Sequence, residues 1–186
     1  MRCKDGSVEA SAHILSANSV VFDRMLFSAM PMAESRTSIV HLDDIWMADM
    51  ELMIKFCQVN ECYQDLVKDL SRDATVSAIS VAHRFEFSLA LKLLCVRFAE
   101  LVPVPTPEDL QFADRLELKS VLDVWSLCCK SSPFFYSFVK SLLEFPISAA
   151  TLLWFTNVHA TSIDMMMPLE GIIHSAQYLT CEIGVV

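Results

Sequence analysis

The spacing of hydrophobic positions changes several times along the chain, and each change marks an element. Val8, Ala10 and Ala12 alternate with polar residues, the period of a half-buried strand. Asp5-Gly6, a pair that favours tight hairpin turns, stands just before them, so residues 2–4 read as the end of one strand and Val8 to Ala12 as the next. From His13 the period lengthens. Ile14-Leu15, then Val20-Val21-Phe22 with Met25-Leu26, form two short helical pieces reaching about Ser28, broken apart by Ser16, Asn18 and Ser19. Pro31 marks a loop and Ile39 to Leu42 a short strand. Asp43-Asp44 opens a helix from about Trp46 to Val59, with Met50, Met53, Ile54 and Cys57 at helical spacing.

Residues 60–72 predict a polar connection with one helical turn, Asp65 to Leu70. Asp73 is placed as the N-cap of a helix through about His83. Ser88 is placed as the cap of the next helix, which carries Leu91, Leu94, Cys95, Phe98 and Leu101 on one face. Pro103, Pro105 and Pro107 cannot lie together inside a helix, and they put a domain boundary here. Thr106-Pro107-Glu108-Asp109 then starts a new helix with a cap, proline in first position and acidic residues in the first turn. An echo spans the boundary. Ala82-His83-Arg84-Phe85-Glu86-Phe87 resembles Ala113-Asp114-Arg115-Leu116-Glu117-Leu118, and each run precedes an amphipathic helix, which predicts two similar helix pairs. Further helices are expected from Ser132-Pro133 to Pro146, from Ser148 to about Val158, and from Leu169 to Leu179. The Met165-Met166-Met167 run before the last of these reads as core filler or adaptable contact surface.

Composition adds a constraint on partners. Hydrophobic residues make up 54% of the 186, and the mean hydropathy is +0.43, which predicts either apolar surface covered by a partner or a very well-filled core. A net charge of −9 argues against nucleic acid and against an anionic membrane surface. Three glycines leave no phosphate-cradling loop. The seven cysteines (Cys3, Cys57, Cys62, Cys95, Cys128, Cys129 and Cys181) are odd in number and form no C-x-x-C pair. With no signal peptide at the N-terminus, they are expected as buried thiols in a reducing cytoplasmic or nuclear compartment. Cys57 and Cys62 do not supply the four ligands of a zinc site. The most apolar run, Ile147 to Val158, is shorter than the roughly 20 residues a bilayer needs, so no membrane span is expected.

Reactive chemistry is not indicated. His13, at the strand–helix junction, is expected to bond the backbone in the core rather than act as a catalyst. Asp43-Asp44 is read as a cap and acidic turn, and Cys128-Cys129 beside Lys130 as structural. No nucleophile–base spacing and no paired catalytic carboxylates stand out, so the expectation is a non-enzyme without cofactor or metal.

Four segments, in order, resemble one family. Val8 to Met25, V-E-A-S-A-H-I-L-S-A-N-S-V-V-F-D-R-M, looks like the signature of BTB/POZ domains, with its strand, Ala-His, Leu-x-x-x-Ser and Phe-x-x-Met. Ile39 to Asp44 resembles the next strand and its acidic turn, Leu52-Met53-Ile54-Lys55-Phe56 the following helix, and Ala82-His83-Arg84-Phe85 the Ala-Asp-Lys-Tyr segment. The second copy, from Ala113, is similar to the helical extension of nematode-type and MATH-associated members. The resemblance implies an α+β fold, mostly helical with a small short-stranded sheet, over residues 1–102 with the first strand truncated, followed by an all-α extension over 103–186. Departures are the shortened first strand, which argues against a strand-swapped dimer, and Phe56-Cys57-Gln58-Val59-Asn60, which lacks the tyrosine and glycine of the family's exit pattern.

The resemblance also implies function. BTB domains self-associate, and many bind the cullin-3 scaffold of ubiquitin ligases. The segment Val20 to Phe27 falls where the homodimer face is expected, with Val20, Val21, Met25 and Leu26 as its named residues. Met32-Ala33-Glu34 falls where a hydrophobic-x-Glu triplet contacts cullin-3, Met32 supplying an apolar knob and Glu34 a carboxylate. The expected role is a substrate-recruiting adaptor for a cullin-3 RING ubiquitin ligase, with a self-association scaffold as the alternative. The target protein is not named by the sequence.

Overall fold

The computed structural model describes residues 1–27, 39–58, 63–129, 147–148 and 150–151. Two strands, β1 (Arg2–Cys3) and β2 (His41–Leu42), accompany eight helices among the described residues. The helices are α1 (Ala12–Asn18), α2 (Val20–Phe27), α3 (Met47–Gln58), α4 (Tyr63–Val67), α5 (Arg72–Arg84), α6 (Ser88–Leu101), α7 (Pro107–Arg115) and α8 (Lys119–Cys129). The architecture is α+β, mostly helical with a small parallel sheet. The chain divides into two compact units, Met1–Leu101 and Val102–Val186.

In the first unit β1 pairs with β2 in the register Arg2 to His41 and Cys3 to Leu42. Period-two alternation buries Cys3 and Leu42 and exposes Arg2 and His41. The Asp5-Gly6 hairpin forms: the Cys3 N–H donates to Gly6 O at 2.8 Å, and Arg2 bridges Ser7 in antiparallel fashion. Its second arm is shorter than the alternation suggests. Val8 to Ser11 lies outside any strand and Ala12 already begins α1, because the β1 ladder opposite is only two residues long.

The start of α3 is also capped from elsewhere. Asp5, not Asp43 or Asp44, accepts the Met47 N–H, Oδ1 to N 2.8 Å. The turn packs closely there, since a Cβ on Gly6 would come within 2.8 Å of Met47 Sδ. The Lys4 ammonium sits 3.9 Å over the Trp46 ring. Along α3 the expected core positions Met50, Met53 and Ile54 are buried, together with Phe56. The helical turn expected at Asp65 to Leu70 lies slightly earlier, as α4.

Two caps differ from the sequence reading. Ser71, rather than Asp73, caps α5, its Oγ accepting the Ala74 N–H at 3.2 Å. A short hydroxyl in extended conformation reaches back to the third helical residue, while Asp73 sits inside the first turn, where the helix dipole favours its charge. Ser88 is already helical: Phe87 O accepts the first bond of α6, from the Leu91 N–H at 2.9 Å, so the buried Phe87 holds the cap position.

The internal echo is realised bond for bond. After α5 the Phe87 N–H donates to Ala82 O at 2.8 Å and the Glu86 N–H to His83 O at 3.2 Å. After α7 the Leu118 N–H donates to Ala113 O at 2.8 Å and the Glu117 N–H to Asp114 O at 3.0 Å. Both are Schellman endings, with Glu86 at φ 55° and Glu117 at φ 51° in the left-handed position. The matching core pairs Ile79 and Leu110, Ala82 and Ala113, Phe87 and Leu118, Ala90 and Val121, and Leu94 and Trp125 are all buried. A Cβ in the left-handed region is strained, so Glu86→Gly and Glu117→Gly are each expected to raise stability, by about 0.5–1 kcal/mol once glycine's extra unfolded-state entropy is deducted. Urea unfolding of the single and double variants measures this; a loss of stability in both refutes it.

In the second unit Thr106 and Asp109 form the expected capping box at the start of α7. The indole N–H of the wholly buried Trp125 donates to Val102 O at 2.7 Å. Asp114 accepts from the Ser148 N–H at 2.8 Å and the Ser148 hydroxyl at 2.7 Å. The helix expected from Ser132 to Pro146, most of Ile147 to Val158, and everything from Met165 onward lie outside the described residues.

Candidate interaction surface

The helical pair α1–α2 turns on Ser19, which is 2% exposed. Its hydroxyl accepts the Phe22 N–H at 3.1 Å, capping α2, and donates to Phe85 O in the turn after α5. Phe22 itself is wholly buried, stacked at 5.0 Å on Phe85 and tilted at 5.8 Å against Phe87. One polar tie and one aromatic cluster thus fix both the position and the rotation of α2.

The outward face follows from that rotation. At 100° per residue, Val20, Arg24 and Phe27 fall opposite Phe22. Val20 and Phe27 are each 48% exposed. Val21, Met25 and Leu26 are half-buried along the flanks. Of the four residues expected on a dimer face, Val20 is the one on the outer ridge, and Phe27, seven positions on, shares it.

His13 belongs to this surface and not to the core. Its ring stacks on Phe27 with centroids 5.2 Å apart and planes 15° from parallel, and the residue is exposed. The reason is helical phase: α1 buries Leu15, and a residue two places away lies on the opposite side. The expectation of a core histidine bonded to the backbone is therefore corrected. The sequence gives no sign that His13 joins this surface, whereas Phe27 closes the helical segment expected to supply it. Met32 and Glu34 lie outside the described residues.

Electrostatics around the domain are structural in character. Arg84 pairs with Asp44 and holds its carboxyl below the usual range. Burial raises the Cys3 thiol and pushes Cys57 up to about 11, so both are protonated near neutrality. Among the described residues no group of three or more His, Cys, Asp or Glu could hold a metal ion, and no helix is long and apolar enough to cross a membrane. An open groove of about 650 Å³ runs along the hairpin between Arg2, Val8, Glu9 and Ile39.

The small α+β body thus pins α2 from within and leaves Val20 and Phe27, with Arg24 between them, on its outward face. Residues 1–101, over half the chain, match the family model of the BTB/POZ domain, and the chain belongs to that family, whose domains are protein–protein interaction modules. Neither a curated protein nor a solved structure matches the chain.

Proposed function

We propose that the chain self-associates through the outer face of α2 and serves as a substrate-recruiting adaptor for a cullin-3 RING ubiquitin ligase. The observation that carries the first part is the ridge of Val20 and Phe27 on a helix whose rotation is fixed by Ser19 and Phe22. A mean hydropathy of +0.43 supports the presence of covered apolar surface. The adaptor role is supported by family membership and by Met32-Ala33-Glu34 following α2 in sequence. A scaffold without a ligase role is the second reading, and the α2 ridge alone suffices for it. On this proposal residues 1–102 are the domain, residues 103–186 the helical extension of the nematode-type or MATH-associated kind, and the protein works in the cytoplasm, the nucleus or both.

Solution mass by light scattering, run beside a cullin-3 pull-down, tests both parts. A homodimer is expected for the wild type. Val20→Asp with Phe27→Glu removes two buried apolar contacts worth about 1.5–3 kcal/mol each and weakens self-association at least roughly tenfold. Cullin-3 is expected to bind the wild type and to be lost from Met32→Asp with Glu34→Lys. A monomer at every concentration ends the self-association reading. Wild type that fails to bind cullin-3, or a double variant that binds unchanged, ends the adaptor reading.

A further inference from the structure

The outward face of α2 carries charge as well as apolar surface, in an order that tells two ways of pairing two copies apart. Val20 and Phe27 form its crest, each 48% exposed, and Asp23 and Arg24 between them are exposed too. At 100° per residue Asp23 falls about 60° to one side of Val20 and Arg24 about 40° to the other. Neighbours in sequence do not face each other on a helix, so the two charges stand on opposite flanks of the crest. Along the axis they lie about 1.5 Å apart, midway in the roughly 10 Å from Val20 to Phe27.

A two-fold axis turns this layout into a choice, because each patch must then fit its own copy. Two α2 helices laid crest to crest and antiparallel bring each flank against itself, Asp23 on Asp23 and Arg24 on Arg24. Laid parallel, with the axis running along the helices, they exchange flanks. Asp23 of each copy then meets Arg24 of the other, once on either side. Like charges placed face to face oppose docking, and opposite charges fix the register.

We propose that two copies of this chain pair through α2 in the parallel sense, Val20 on Val20 and Phe27 on Phe27 along the centre, with an Asp23–Arg24 ion pair on each flank. This pairing rests on the self-association reading above and adds its orientation and charge code. The first unit leaves room for it. Phe22, on the far side of α2, is wholly buried against Phe85 and Phe87, so the first units of the two copies lie on opposite sides of the paired helices. Ser19 fixes the start of α2, and the His13 ring, stacked on Phe27 with centroids 5.2 Å apart, steadies the ring that the second copy meets.

The test measures the dimer Kd of the full chain by light scattering and sedimentation over a range of concentration. Asp23→Arg and Arg24→Asp each put like charges on both flanks, and each is expected to weaken the dimer about tenfold. The two substitutions move the net charge of −9 in opposite directions, so a weakening in both is not an effect of net charge. The double exchange, Asp23→Arg with Arg24→Asp, is expected to restore the wild-type Kd. The neutral variants Asp23→Asn and Arg24→Gln disturb the fold least and are expected to weaken the dimer about threefold. Circular dichroism checks that each variant is folded as the wild type is. A wild-type dimer whose single variants associate unchanged, or shift in opposite directions, or are not rescued by the double exchange, overturns the parallel pairing and leaves the self-association reading standing. A wild type that stays monomeric at every concentration overturns both.

Discussion

Replacing Phe22 by alanine is expected to cost about 3–5 kcal/mol, a large share of the roughly 5–15 kcal/mol that holds a domain folded. The ring is 0% exposed and meets Phe85 and Phe87 at 5.0 and 5.8 Å. Such aromatic pairs add about 0.5–1.5 kcal/mol to the burial itself. Neither neighbour can follow into the space, because both sit in the Schellman ending of α5, fixed by backbone bonds to Val81 and Ala82. The cavity therefore stays open and the upper part of the range applies. Val20→Ala, two residues away on the outward face, should stay within about 1 kcal/mol. Urea unfolding followed by circular dichroism separates the two. Equal losses at both positions would mean that α2 is not fixed by Phe22.

Phe22 also shows what could be read from the chain and what could not. Its place in an apolar helical piece is visible, as are most of α1, α2, α3, α5, α6, α7 and α8, because period 3.6 and proline signals are local. The echo between the two turns was visible because it repeats residue types in order. The ties that set geometry were not. Ser19 looked like a break between helices, yet its hydroxyl bonds a carbonyl 66 residues away. Asp5 looked like a turn residue, yet it caps a helix 42 residues on. A polar side chain with free local partners leaves no trace in sequence of a distant one, and so the sequence alone favours the local acids Asp43 and Asp44 for the cap. His13 failed for a related reason. Its sequence position at a junction says nothing of helical phase, which Leu15 settles by being buried. The outer ridge is legible in the sequence as the ends of the Val20 to Phe27 helical segment, and its stacking partner His13 is not.

Trp125→Ala is expected to cost the second unit about as much as Phe22→Ala costs the first, roughly 3–5 kcal/mol. The indole is wholly buried, and its N–H is bonded to Val102 O at 2.7 Å. Two contributions can be separated by choice of replacement. Trp125→Phe keeps most of the apolar volume and removes the N–H, leaving the Val102 carbonyl without its partner at a cost of about 1–3 kcal/mol. Trp125→Leu installs the residue that stands at the matching position of the first helix pair, Leu94, which is also 0% exposed. If the two pairs share one packing scheme, leucine fits the site in shape and fills only part of its volume, so its cost should fall between those of phenylalanine and alanine. Amide exchange at Leu118 and Leu122 reads the outcome, since their N–H groups bond Ala113 and Leu118 inside the second turn and at the start of α8. The order expected is wild type, phenylalanine, leucine, alanine, from most to least protected. Leucine performing no better than alanine would mean that the site is shaped for an indole alone, and that the likeness of the two helix pairs stops at their turns.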